Sequence, residues 1–353
     1  MGRSLFRNMV SRAFGLTGPK AVFSAGRVMQ RAALGLVHAT SRKRRQVSKP
    51  STPKVSKALP AQRNGSFRWK KVVLSQRMLS YKLFLPASQK GTFQPMPLLI
   101  MLHGCSQTPD DFAQGTAMNR LALEHGWMIA YPRQTRAANR KKCWNWFSPA
   151  DQSRGAGEPA LIAGMTLQIL QEHAGDPRRV YIAGLSAGGA AAAAVASAYP
   201  EIFAAVGVHS GLPIGAARGT LSALVAMNAG SSGSRQSTPM PTIVFHGDAD
   251  DVVHPRNGRA IAARSVATFP DLLETERHGR AIGGRSYVRT THRAGNRKSY
   301  CEHWQIKGAG HAWSGGDAAG SFTDGAGPDA SSEMIRFFRQ HRNTAAPRPD
   351  PEP

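Results

Sequence analysis

Val180-Tyr-Ile-Ala-Gly-Leu-Ser-Ala-Gly-Gly-Ala-Ala-Ala-Ala-Ala194 is the stretch from which the fold is read. Val180 to Ala183 is a short apolar, β-favouring run of the kind that forms a buried parallel strand, and Ala190 to Ala198 is dominated by the strongest helix former. A strand therefore passes into a helix through Gly184-Leu185-Ser186-Ala187-Gly188. The two glycines allow strand and helix to approach closely, which holds Ser186 on a strained turn with its hydroxyl outward. The helix N-terminus adds backbone N–H groups, that of Ala187 among them, beside an oxyanion forming at the serine. G-x-S-x-G alone is a weak signal in a chain this rich in glycine, and a glycine-rich turn whose serine merely caps a helix gives the same letters. The flanking strand and helix distinguish the two readings.

Outward from this junction, apolar strand-like runs alternate with helical ones. Strands are expected at 67–74, 78–85, 97–102, 127–131, 179–183, 203–209, 242–246 and 302–307; helices are expected at 110–125, 158–173, 187–199, 256–268 and 329–341. Such alternation predicts an α/β fold with a mostly parallel central sheet flanked by helices. In these sheets the site forms at the carboxyl ends of the strands. Three such ends carry chemistry: His103-Gly104-Cys105, Ser186, and the loop His246 to Asp251. Glycine, serine and proline fill much of 210–241, which reads as a surface excursion.

The 353 residues carry a net charge of +25, unevenly placed. Met1 to Pro109 holds 20 Lys/Arg and no acid, whereas the remainder is only +5. Residues 1–45 form a basic, intermittently apolar segment, 46–66 a linker, 67–342 the globular domain, and 343–353 a polar, proline-rich, disordered tail. The amphipathic spacing in 1–45 suits an anionic or lipid-coated surface; its composition also fits an organelle transit peptide or a basic tail with no specific partner. Arg12, Lys20, Arg27 and Arg31 interrupt the apolar core that a secretory signal needs. No apolar run reaches the length of a membrane-spanning helix. The basic side chains lack the aromatic interleaving of a nucleic-acid stacking platform, so no nucleic acid is expected. Cys105, Cys143 and Cys301 show no zinc-ligand spacing.

A serine hydroxyl needs a base within reach and a third group to orient that base. Downstream of Ser186, the strand ending at Phe245 empties into His246-Gly247-Asp248-Ala249-Asp250-Asp251-Val252-Val253, where three aspartates compete for the orienting role. Further on, Gly308-Ala309-Gly310-His311-Ala312-Trp313 presents a histidine on a glycine-rich loop after a strand. Serine, acid and histidine thus follow in the order expected for this layered fold. A solvent-exposed loop histidine is the plainer reading of His311 taken alone.

Leu102-His103-Gly104-Cys105-Ser106-Gln107, Cys143-Trp144-Asn145-Trp146, the Gly184–Gly189 elbow, H-G-D-A-D-D-V-V and G-A-G-H-A-W-S-G-G together resemble the polyhydroxybutyrate depolymerase family of α/β-hydrolase esterases, which also contains feruloyl and acetylxylan esterases. The resemblance covers about residues 70–340 and leaves the basic N-terminus unexplained. It implies a serine ester hydrolase needing no metal or organic cofactor, with Ser186 as nucleophile, His311 as general base and Asp250 as orienting acid. It also implies an oxyanion hole from the backbone N–H groups of Cys105 and Ala187, with His103 a structural loop residue. Trp144, Trp146 and Trp313 are expected either to wall an acyl site or simply to pack. Cys105 and Cys143 flank the expected site and can pair in an oxidising compartment. Poly(3-hydroxybutyrate) or its oligomers is the implied substrate and a feruloyl or acetyl ester the alternative; a basic surface-binding protein with an idle hydrolase domain is a rival from another class. A cytoplasmic or granule-associated location is expected, with an extracellular one as the family-based alternative.

Overall fold

The computed structural model describes residues 65–74, 76–87, 95–233, 238–295 and 297–346. The expected N-terminal segment and linker lie almost wholly outside them, as does most of the expected tail. The first half runs β1 (Gly65–Leu74), β2 (Arg77–Pro86), β3 (Met96–Leu102), α1 (Pro109–Thr116), α2 (Met118–His125), β4 (Met128–Pro132), α3 (Gly157–Glu172), β5 (Gly175–Leu185) and α4 (Ala187–Ala198). The second half runs β6 (Ala205–His209), α5 (Thr220–Ala229), β7 (Thr242–Gly247), α6 (Arg256–Val266), β8 (Leu273–Arg280), β9 (Ser286–Arg293), β10 (Ser299–Ile306) and α7 (Ala330–Phe338), with the short strands β11 (Trp313–Ser314) and β12 (Thr323–Asp324) before α7.

Among the described residues, ten strands form one sheet in the order β1-β2-β4-β3-β5-β6-β7-β10-β9-β8. The strands from β4 to β10 are mutually parallel, and antiparallel pairs close both edges. Alternation along the central strands fills two cores. Leu98, Ile100 and Leu102 of β3 and Val180 and Ile182 of β5 face α3, α4 and α6. Leu99, Met101, Tyr181 and Ala183 face α1, α2 and α7 through Phe112, Leu121, Met334 and Phe338. Strands buried on both faces have no polar side, which is why they read as continuous apolar runs.

The structure corrects one expected helix and adds elements that the sequence did not announce. The helix expected at 110–125 is two helices, because Ala117 adopts φ 49° and breaks the axis. The excursion at 210–241 contains α5, which buries Ala223 and Ala226 in one apolar cluster with Leu212 and Val253. Between α6 and β10 the chain forms the β8–β9 hairpin; β8 is exposed at nearly every position, so hydropathy carried no signal for it. β1 starts at Gly65, and the buried Asn343 donates its N–H to the Arg178 carbonyl at 2.9 Å.

Candidate active site

Ser186 sits where β5 turns into α4, with φ 59° and ψ −121°, a backbone conformation that costs an L residue about 1–3 kcal/mol. Neighbours hold it there. The Ser186 N–H donates to the His209 carbonyl at the end of β6 (2.9 Å). A β-carbon at Gly188 would overlap the carbonyls of Leu102 and His103, and one at Gly184 would overlap the Gly188 backbone. The crossing of β3, β5 and α4 therefore requires both glycines.

Beyond β7, Asp250 is buried and fully engaged. Its Oδ1 accepts the N–H groups of Val252 (3.0 Å) and Val253 (2.9 Å). Its Oδ2 lies 2.8 Å from His311 Nδ1 and 3.4 Å from His246 Nε2. Burial opposes ionisation of Asp250, but attraction to His311 and hydrogen bonding with His246 and His311 outweigh it and hold the carboxyl well below the usual range. An ionised carboxylate only accepts, so His311 carries its proton on Nδ1 and Nε2 is the basic nitrogen. The competing aspartates do other things. Asp248 accepts the Gly308 N–H (2.7 Å), tying the loop after β7 to the one that bears His311; Asp251 is exposed.

Ser186 and His311 line one cleft, together with Cys105 and Ala187. Cys105 is bridged to Cys143 by a disulfide. On either side of Cys105 the backbone donors are committed, the Gly104 N–H to Gln107 Oε1 (2.9 Å) and the Ser106 N–H to the Lys141 carbonyl (2.7 Å). Gln107 is anchored in turn by donating from Nε2 to the Ser321 carbonyl (3.0 Å) and to Asp111 (3.1 Å). Ala187 is the first residue of α4, so its N–H has no carbonyl partner within the helix.

Of the three tryptophans expected either to wall the site or to pack, Trp146 alone lines the cleft. Trp144 and Trp313 are each 1% exposed and pack in the core; their indole N–H groups donate to the His103 carbonyl (3.1 Å) and Ser331 Oγ (3.0 Å). The wall is instead Trp146 with Phe147, Leu212, Met227, Val252 and Phe322. His103 is buried against the loop, its Nε2 accepting the Gln134 N–H at 3.1 Å, and burial lowers its pKa to about 4. A neutral, engaged imidazole there is a structural part.

A family model described as esterase PHB depolymerase matches residues 79–282. The chain belongs to that esterase family. It is 30% identical over 234 residues to poly(3-hydroxyalkanoate) depolymerase C of Paucimonas lemoignei, covering 61% of this chain and 54% of that one. With feruloyl esterase B of Thermothelomyces thermophilus it shares 34% identity over 128 residues, or 36% of this chain and 43% of the other. The chain thus spans about half the length of the curated relatives it matches. Among solved structures, an acetyl xylan esterase from Aspergillus awamori superposes with a TM-score of 0.56 at 18% identity, covering 77% of this chain and 99% of that one. This is the α/β-hydrolase fold.

Two buried histidines lie beside the site residues; the sequence reading did not single out His209 and took His246 only as the start of the acidic loop. His209 accepts the Ser314 N–H at Nε2 (2.9 Å), stacks between Phe245 and Trp313, and is held neutral, its pKa lowered to about 3 by burial and by His246 and His311. His246 points its Nε2 at both the Val253 carbonyl (2.8 Å) and Asp250. Each lies at the carboxyl end of an apolar strand, and that position was the available signal. Among the described residues no group of three or more His, Cys, Asp or Glu is placed to hold a metal ion, and no helix is long and apolar enough to cross a membrane.

Proposed function

We propose that the chain is a serine carboxylic-ester hydrolase acting through Ser186, His311 and Asp250. The 2.8 Å bond from His311 to the buried Asp250, with His311 and Ser186 on one cleft, is the observation that carries this reading. His311 Nε2 takes the Ser186 proton as Oγ attacks the ester carbonyl. The N–H groups of Cys105 and Ala187 donate to the oxyanion, and the alcohol leaves with the proton from His311. Water, deprotonated by the same nitrogen, then releases the acid from the acyl-enzyme. Asp250 keeps the imidazole in the required tautomer and offsets the charge that develops on it.

Poly(3-hydroxybutyrate) or its oligomers is the proposed substrate, supported by the family match and the largely apolar cleft wall. A feruloyl ester is the second reading, favoured by the aromatic pair Trp146 and Phe147 in the cleft and by the 34% identity to a feruloyl esterase. Release of 3-hydroxybutyrate from amorphous polyester granules, measured beside hydrolysis of methyl ferulate, separates them: turnover of the ferulate alone overturns the polyester reading. Residues 1–45 would supply a surface anchor joined by 46–66 to the hydrolase domain. Deleting residues 1–60 should weaken granule binding while sparing soluble esters, and unchanged binding would refute the anchor. The Cys105–Cys143 disulfide supports an oxidising compartment over the cytoplasm.

A further inference from the structure

At Ser106 and Lys141 the cleft borders a second hollow, lined by Ser106, Arg136, Arg140, Lys141 and Lys142. Four cations thus come from seven consecutive residues, in the part of the chain whose overall charge is close to balanced. Among the described residues, no carboxylate forms an ion pair with any of the four. The nearby Asp111 already accepts from Gln107 and Ser321. Burial and the repulsion of Arg136 and Arg133 lower the Lys142 pKa despite that aspartate.

A solvated basic loop would relieve such repulsion by moving apart, but this loop is tied down. Lys141 accepts the Ser106 N–H through its carbonyl, and Asn139 Oδ1 accepts the N–H groups of Lys141 (3.0 Å) and Cys143 (3.3 Å). The Cys105–Cys143 disulfide fixes the loop's end to the residue proposed to donate to the oxyanion. The cations are therefore held beside the cleft with their charge uncompensated. Arg and Lys side chains so placed are ready to take a carboxylate, arginine through its two-pronged guanidinium.

We propose that Arg136, Arg140 and Lys141 form a carboxylate-binding subsite at the cleft mouth, so that the preferred substrate is an ester carrying a free carboxylate within the same short molecule. The proposal rests on the hydrolase reading and names its substrate class. Each cut in a polyester of hydroxy acids creates one hydroxyl end and one carboxylate end, so short oligomers carry a carboxylate on every molecule while the interior of a long polymer carries none. The subsite thus directs the enzyme to soluble oligomeric hydroxy acids.

The test uses the full chain with the trimer of 3-hydroxybutyrate, as its free acid and as its methyl ester, and with p-nitrophenyl butyrate as a neutral ester. At about 10 mM salt the free acid should have the larger kcat/KM by about tenfold, mostly through KM. The ratio should approach one at about 1 M salt, where charges are screened within about 3 Å. It should also approach one at low salt in the Arg136→Gln/Arg140→Gln variant. A wild-type ratio near one at low salt, with p-nitrophenyl butyrate still hydrolysed, overturns the subsite alone, and so does a salt-independent preference. Failure to hydrolyse any of the three esters overturns the hydrolase reading and the subsite with it. The salt series on the wild type decides the matter even if the double variant does not fold.

Discussion

Replacing both Cys105 and Cys143 by serine separates what the disulfide does for the fold from what it does for the cleft. The bond joins residues 38 apart in sequence, and loop-closure entropy for a span of this length corresponds to about 4 kcal/mol of stability. Cys301 does not complicate the comparison: burial pushes its thiol up to about 12, so it stays protonated and inert toward exchange. The local effect is smaller than complete loss of a donor, which typically lowers kcat by about 100- to 1,000-fold. Two tethers survive the substitution, the Gly104 N–H on Gln107 and the Ser106 N–H on the Lys141 carbonyl. The expectation is therefore a loss of about 2–4 kcal/mol in urea unfolding and a fall of about tenfold in kcat on p-nitrophenyl butyrate under conditions where the variant stays folded. A variant less than about 1 kcal/mol weaker than wild type, with unchanged kcat, would refute the idea that the bond holds the oxyanion loop.

Further outcomes follow from the same geometry. Gly188→Ala forces a β-carbon into the Leu102 and His103 carbonyls at the crossing of β3 and α4, so it should cost about 2–4 kcal/mol in thermal unfolding and abolish turnover; a stable, active variant contradicts the close approach. Glu158, buried in the first turn of α3, accepts from Gln134 and from both the backbone and the side chain of Asn145, yet burial, aided by the Asp151 charge, raises its pKa from 4.5 to about 7. The unfolded chain therefore loses this proton at lower pH than the folded one. The stability that this proton supplies is full below about 4.5 and falls by about 3 kcal/mol as pH rises to about 7, so the stability difference between wild type and Glu158→Gln should follow that fall, and a difference that does not change with pH counts against the assignment. Asp250→Asn, which leaves the His311 tautomer unspecified, should lower kcat by about 10,000-fold while the thermal midpoint moves far less than that loss implies; near-normal turnover overturns the role given to Asp250.

What was legible in the sequence is what local pattern determines. β3, β5 and β7 announce themselves as apolar runs because both faces of each are covered, and the turn at Ser186 follows from two glycines set between a strand and an alanine helix. The order of Ser186, Asp250 and His311 was readable as well, since each stands just beyond a strand of the parallel sheet. The cleft wall was not. Phe147, Leu212, Met227, Val252 and Phe322 come from separate loops and one helix, and only the folded chain brings them together. Trp144 and Trp313 stayed open between wall and core because a tryptophan beside a motif looks the same whether its ring faces a ligand or the core; in the fold both are buried and their indoles donate within the core. β8, with little apolar surface of its own, exists because β9 pairs with it along its whole length. His246 and His209 stood in view at strand ends, but what they touch depends on register between strands far apart in sequence.

The measurement closest to the central claim is covalent trapping of the nucleophile. Full-length protein treated with a p-nitrophenyl phosphonate ester, digested and analysed by mass spectrometry should carry one phosphonyl group, on the peptide containing Ser186, with esterase activity lost in proportion to labelling. Ser186→Ala should be folded, unlabelled and inactive on p-nitrophenyl butyrate. Labelling at another residue that tracks the loss of activity, or near-wild-type turnover by Ser186→Ala, would contradict the account.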